Sequence, residues 1–369
     1  MNTSVLATIA IAQGVFLVML LAMLLTRRVV GGIRLGRSRQ QLELAARAVS
    51  RWQTGEVDTE HMLNWLGRLS FADFSLFFQN LSTQMGGEDW NRLAAAARQT
   101  AWFDRVCDYG ESRLWWRRLL AARAFMVVGA QEDLSRIEAL LRDDAAPVRR
   151  AAVWCLKRVQ SPELAAAVLD IAAREPRVLQ ATILEVLAGN RGPVLGTLTE
   201  RLQTATDAGD LGAALRLAEM IGVPGLLTHV LPHAAHSEFE VRIAATRALA
   251  SYPHVRTSQT LCERLRDPVW QVRAQAAAGL GAIGAREAVE ELDHAMTDAS
   301  WWVRLRSALA LRRLGSAGVA VLEARQPESD RFAYEMAQYV LQLDRAAVAE
   351  YSGPYVVDYA EATASHQAA

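Results

Sequence analysis

The sequence predicts an all-α protein, a solenoid of stacked helical hairpins with one N-terminal transmembrane helix. Three observations predict it: an uncharged apolar run near the N-terminus, helical periodicity nearly everywhere beyond it, and a motif that returns every 31 residues. With 369 residues, 51% of them hydrophobic and 22% charged, the chain has ample material for an ordered core.

The first element is the run from Val5 to Leu25, which carries no charge. As a helix it extends about 31 Å, enough to cross a hydrocarbon core. No positive residue precedes it, so it reads as a retained anchor and not a cleaved leader. Arg27, Arg28, Arg34, Arg37 and Arg39 follow it. The positive-inside rule then places the N-terminus outside the membrane and the rest of the chain in the cytoplasm. The resulting organisation is an anchor over 1–30, a linker and N-terminal helical cap over 31–113, a repeat domain over 114–344, and a largely disordered tail over 345–369. Amphipathic stretches such as RQQLELAARAVSRW and EDWNRLAAAARQTAWF build the cap.

In the repeat domain, Val241-Arg242 returns as Val272-Arg273 and Val303-Arg304, and three periods back lies Val148-Arg149. Leu249, Leu280 and Leu311 keep the same spacing, with Leu156 and Leu187 in phase. The clearest copy, Pro268 to Asp298, reads as two antiparallel helices broken at Gly284, and Gly315 is the equivalent break one period on. Alanines in the first helix let neighbouring backbones approach, so stacking of hairpins makes the core. The middle copies are degenerate: Leu179-Gln180 and Asp210-Leu211 fall where Val-Arg is due. RFAYEMAQYVLQL closes the stack.

From about Leu114 to Asp344 this pattern resembles HEAT repeats of the short kind named after phycobiliprotein lyases. The supporting detail is an aspartate six residues before an arginine: Asp143 and Arg149, Asp267 and Arg273, Asp298 and Arg304. The resemblance implies that these charges form hydrogen-bonded ladders between repeats, and so are architecture and not catalysis. A narrower resemblance rests on the anchor, the SWWVR entry of DASWWVRLRSALALRRLG and the segment RFAYEMA. Together they are similar to bacterial membrane-anchored HEAT proteins that accompany membrane glycosyltransferases of exopolysaccharide systems, which implies a membrane-associated protein partner.

Composition and motifs narrow the function. The formal net charge is zero, which argues against nucleic-acid binding. Lys157 is the only lysine, so nearly all positive charge is arginine, whose planar fork suits fixed hydrogen-bonded pairs. Cys107, Cys155 and Cys262 are far apart and form no CxxC pair, as expected of small buried thiols. No nucleophile elbow, P-loop, HExxH or dinucleotide fingerprint occurs, and no cofactor is implied. Deoxyhypusine hydroxylases bind iron through His-Glu pairs on similar repeats, but no His-Glu dipeptide occurs here.

Two candidate surfaces remain. His229, His233 and His236 would share one face of a continuous helix and could present imidazoles to a divalent metal, although Pro232 interrupts that segment. They carry the alternative reading, a HEAT-like lyase or metal-dependent enzyme using this face or a pocket. Trp115, Trp116, Trp270, Trp301 and Trp302 lie at hairpin entries, where they serve either inter-repeat packing or a partner-binding ridge. The leading expectation is a membrane-anchored scaffold that holds a protein partner.

Overall fold

The computed structural model describes residues 38–351, together with Phe16, Leu17, Met19, Leu20, Leu21 and Met23. Among the described residues every regular element is helical and no strand occurs. The chain forms two compact units, Met1–Val159 and Gln160–Ala369. That division falls inside the stretch read from sequence as one repeat domain.

The first unit begins with α1 (38–53), α2 (Thr59–Leu66), α3 (Phe71–Gln84), α4 (Gly87–Ala97) and α5 (Ala101–Gly110). The starts of α2 and α3 follow from short polar caps: the Asp58 and Ser70 side chains accept from the amides of His61 and Asp73. Phe74, Phe78 and Trp102 stack at the centre, with Phe74 ring centroids 4.7 and 4.4 Å from the other two. Three further helices complete the unit: α6 (Trp115–Val128), α7 (Leu134–Leu141) and α8 (Ala146–Val153). Of these, α6 packs against both α5 and α8.

The second unit opens with α9 (Pro162–Arg174), α10 (Arg177–Ala188), α11 (Arg191–Thr204), α12 (Ala208–Ile221) and α13 (Leu227–Val230). It continues with α14 (Phe239–Leu249), α15 (Val255–Arg264), α16 (Trp270–Ile283) and α17 (Val289–Ala295). The final four helices are α18 (Trp301–Arg313), α19 (Ser316–Glu323), α20 (Arg331–Gln342) and α21 (Arg345–Tyr351). Every second helix from α10 to α20 packs on the next, giving one row, while α9, α11 and α13 start a second row. This is the arrangement of a helical-hairpin stack, in which each repeat buries its apolar surface on its neighbours.

The 31-residue period is a core period. Val148, Val241, Val272 and Val303 are fully buried, as are Leu156, Leu187, Leu249, Leu280 and Leu311. Small residues set the spacing of α16 and α18: a methyl group on Gly281 would stand 2.8 Å from both Cα and Cβ of Ala310. The break after α16 uses Gly284 at φ 70°, a left-handed backbone that only glycine adopts freely.

Two expectations about the termini need comment. Most of the Val5–Leu25 run lies outside the described residues; the six described positions within it are helical and exposed. Among the described residues no helix is long and apolar enough to cross a membrane. At the other end, the tail read as starting at residue 345 begins instead with α21, whose Val348 is buried, and residues 352–369 lie outside the described part.

Candidate interaction surface

The charged positions of the repeat are built into a clamp. In α16 the Arg273 guanidinium donates through Nη1 to the backbone carbonyls of Asp267 and Pro268, at 2.8 and 3.1 Å. Its Nε and Nη2 donate to the two carboxylate oxygens of Asp298, at 2.6 and 2.9 Å. Arg242 does the same with the carbonyls of His236 and Ser237 and the carboxylate of Asp267. In the first unit Arg118 holds the carbonyls of Ser112 and Arg113 and the carboxylate of Asp143. Each arginine thus ties the entry of its own helix to an aspartate 25 residues on, at the entry of the next hairpin.

This geometry specifies which side chains meet in the ladders expected between repeats. An aspartate and the arginine six residues later do not meet through their side chains. Arg149 reaches the carbonyl of Asp143, and Arg304 that of Asp298, while the carboxylates of Asp143 and Asp298 receive Arg118 and Arg273. The same carboxylates also accept backbone amides, from Ala145, Val269 and Ser300. Arg118 was missed as a ladder residue although it lies one period before Arg149. Burial opposes ionisation of Asp267 and Asp298, but the arginine hydrogen bonds and the accepted amide outweigh it, so both carboxyls sit below their ordinary range.

The clamp stops at Arg304. The position 25 residues on is Ser329, and the adjacent Asp330 is used to cap α20 through the Ala333 amide. Arg304 Nε is buried with no hydrogen-bond partner, and its guanidinium lies 5.4 Å from the Phe332 ring centroid. Beside it opens a cavity of about 220 Å³ lined by Trp301, Arg304, Phe332, Glu335, Met336 and Tyr339. The Phe332, Glu335, Met336 and Tyr339 side chains share a face of α20 by their helical spacing, a pattern the sequence showed only as a closing helix.

The tryptophans divide. Trp301 is 48% exposed and stands edge-on to Trp302, ring centroids 4.9 Å apart, at the start of α18. Trp115 and Trp116 are exposed at the start of α6, beside exposed Leu114. Trp270 is only half-buried at the start of α16. Apolar rings left on the surface at helix entries suit contact with another protein.

The three histidines do not share a helix face. The α13 helix ends at Val230, and Pro232 turns the chain into a short 3₁₀ segment over Leu231–Ala235. His229 Nδ1 lies 3.1 Å from the Gln203 amide nitrogen, His233 Nε2 donates to the Leu202 carbonyl at 2.8 Å, and His236 Nδ1 accepts from the Glu238 amide. Burial lowers the His233 pKa. Among the described residues no group of three or more His, Cys, Asp or Glu side chains converges as a metal site would require. The three cysteines are free thiols, with Cys155 fully buried.

Comparison with known proteins fits this architecture. Residues 258–341 match the family model of HEAT repeats. The chain is similar in fold to the karyopherin Kap121p. A Kap121p mutant superposes with a TM-score of 0.55 at 12% identity over 86% of this chain and 43% of the karyopherin. Kap121p bound to Pho4p gives 0.53 at 11% identity over 77% and 38%, and Kap121p bound to the SUMO protease Ulp1p gives 0.53 at 11% over 83% and 42%. The chain therefore covers less than half of each karyopherin, and at this identity the likeness concerns the fold alone. No curated protein sequence matches the chain.

Proposed function

We propose that this chain is an interaction scaffold whose HEAT-like hairpins present a partner-binding surface at the entry of α18. The observation that carries the reading is exposed Trp301, set edge to face against half-buried Trp302 beside an open groove. Rigid aromatic rings next to an arginine are the residue types that dominate protein interfaces. The fold supports the reading: Kap121p, with the same kind of stack, has been solved bound to Pho4p and to Ulp1p.

The finer reading adds location and partner. The uncharged run Val5–Leu25, followed by arginines, tethers the stack to the inner face of a bacterial membrane, which raises its effective concentration beside a membrane protein. A membrane glycosyltransferase of an exopolysaccharide system is the partner to test first, from the resemblance of the anchor and the SWWVR entry. Replacing Trp301→Ala together with Trp302→Ala should abolish co-purification of that enzyme from detergent while the helical circular dichroism stays unchanged. Undiminished recovery would remove the tryptophan surface. Separately, the full chain should stay in the membrane pellet after alkaline carbonate extraction, and its release would remove the anchor.

A further inference from the structure

We propose that the aromatic rings at the entries of α14, α16, α18 and α20 form a ladder that binds a proline-rich segment of a partner protein in the polyproline II conformation, its basic end over α14. The inference rests on the scaffold reading and names the kind of segment the scaffold takes. Phe239, Trp270 and Trp301 are the first residues of α14, α16 and α18, and Phe332 is the second of α20. Each stands 31 residues from the next. Phe239, Trp301 and Phe332 are 42%, 48% and 65% exposed, and Trp270 is half-buried. The valine and leucine positions of the same period are fully buried, so the stack does not need these rings for its core, yet four successive repeats keep one at the surface.

Contacts between the entries bring the rings side by side. Arg242, three residues after Phe239, holds Asp267 just ahead of Trp270, and Arg273 holds Asp298 just ahead of Trp301. Arg304 in turn lies 5.4 Å from the Phe332 ring centroid. Successive rungs are therefore about one helix-packing distance apart, roughly 8–10 Å. A polyproline II segment returns every third residue to the same side at intervals of about 9.3 Å, inside that range. A strand returns side chains to one face about 6.8 or 13.6 Å apart, and a helix about 5.4 or 10.5 Å apart, so both fall outside it. Aromatic rings are also the surface on which proline-rich segments dock. Charge complementarity fixes the direction: Glu238 and Glu240 flank Phe239, both are exposed, and neither carboxylate is paired among the described residues. A lysine or arginine at that end of the segment answers them.

The test titrates the full chain in detergent into a dye-labelled peptide, Arg-Arg followed by four Pro-Pro-Leu triplets, and reads fluorescence anisotropy. Three control peptides carry the same dye: one of the same composition with its leucines adjacent, one with Glu-Glu in place of Arg-Arg, and an amphipathic helix with leucines seven apart. The triplet peptide should bind best. Phe239→Ala, Trp270→Ala, Trp301→Ala and Phe332→Ala should each weaken it about fivefold, and Glu238→Gln with Glu240→Gln should remove its advantage over the Glu-Glu peptide. Circular dichroism checks that each variant folds, and the peptide controls report on the parent alone. No saturable binding of the triplet peptide overturns the proposal, as does equal binding of the peptide with adjacent leucines. Tighter binding of the helix overturns it by assigning a helical partner, and losses confined to Trp301 and Phe332 overturn it by reducing the ladder to one groove. The scaffold reading fails separately, through undiminished recovery of the membrane enzyme by Trp301→Ala with Trp302→Ala.

Discussion

Helices α14 and α16 carry the Val-Arg pair and are each locked to the next hairpin by a bidentate arginine-carboxylate clamp, whereas α10 and α12, in the same row of the same unit, lack an arginine in that register. In their register stand Gln180 and Leu211. Gln180 is buried and donates to the Ala172 carbonyl at 2.8 Å, and Leu211 is buried among apolar neighbours. Farther along the middle stretch, Arg201 bridges Asp170 and Asp210, and His233 holds the Leu202 carbonyl. The row continues through both stretches because its valines, leucines and alanines are buried in both. Apolar packing makes the stack, and the clamp fixes how adjacent entries meet.

The largest effect should come from breaking one clamp. Asp267 is 5% exposed and receives Arg242, so Asp267→Ala leaves a largely buried guanidinium facing a void. The expected loss is about 3 kcal/mol, read as faster hydrogen exchange of α14 and α16 with little change in α10. The carboxyls of Asp267 and Asp298 sit below their unfolded values, so their contribution is fully present above about pH 4 and is lost as pH falls through the folded-state values. Acid titration should therefore open α14–α18 before α9–α12, and Asp267→Ala should flatten that difference. Simultaneous opening would break the comparison.

A smaller effect tests packing in the same two stretches. A methyl group at Gly281 meets the Ala310 backbone at 2.8 Å, so Gly281→Ala should force α16 and α18 apart at a cost of about 2 kcal/mol. Gly196, inside α11, has nothing within 4 Å of its added Cβ, so Gly196→Ala should instead raise stability by about 0.5–1 kcal/mol through helix propensity. Thermal denaturation of the two variants should move in opposite directions.

What the sequence could disclose follows from the same contrast. Val241, Val272, Val303 and their leucine counterparts were legible because a stack repeats its core, and a repeated core repeats its residues. The partner of each carboxylate was not. In a 31-residue period an aspartate six residues before one arginine is also 25 residues after the previous one, so spacing alone cannot say which guanidinium it meets. The fate of the histidines was half legible: Pro232 announced a break, but the Leu202 carbonyl that takes His233 lies 31 residues away in the chain. The groove at Arg304 depends on Phe332 and Tyr339 meeting Trp301 across two helices, and no local pattern marks that meeting.

The smallest effect sharpens the comparison most, because it asks whether Gln180 is a weak clamp or only a filler. Gln180→Met keeps the length and most of the volume of the side chain but removes the amide that donates to Ala172. If the glutamine fastens α10 to the end of α9, the Ala172 carbonyl loses that partner in a buried site, and stability should fall by about 1 kcal/mol, roughly a third of the clamp effect. If apolar volume is all that the position supplies, the variant should match the parent, since methionine fills irregular space well. Hydrogen exchange at the last turn of α9 separates the two, because a fastening role speeds opening there and leaves α14–α18 untouched. A cost equal to that of Asp267→Ala would show instead that the middle stretch is clamped as tightly as the regular one, with a neutral amide in place of an ion pair.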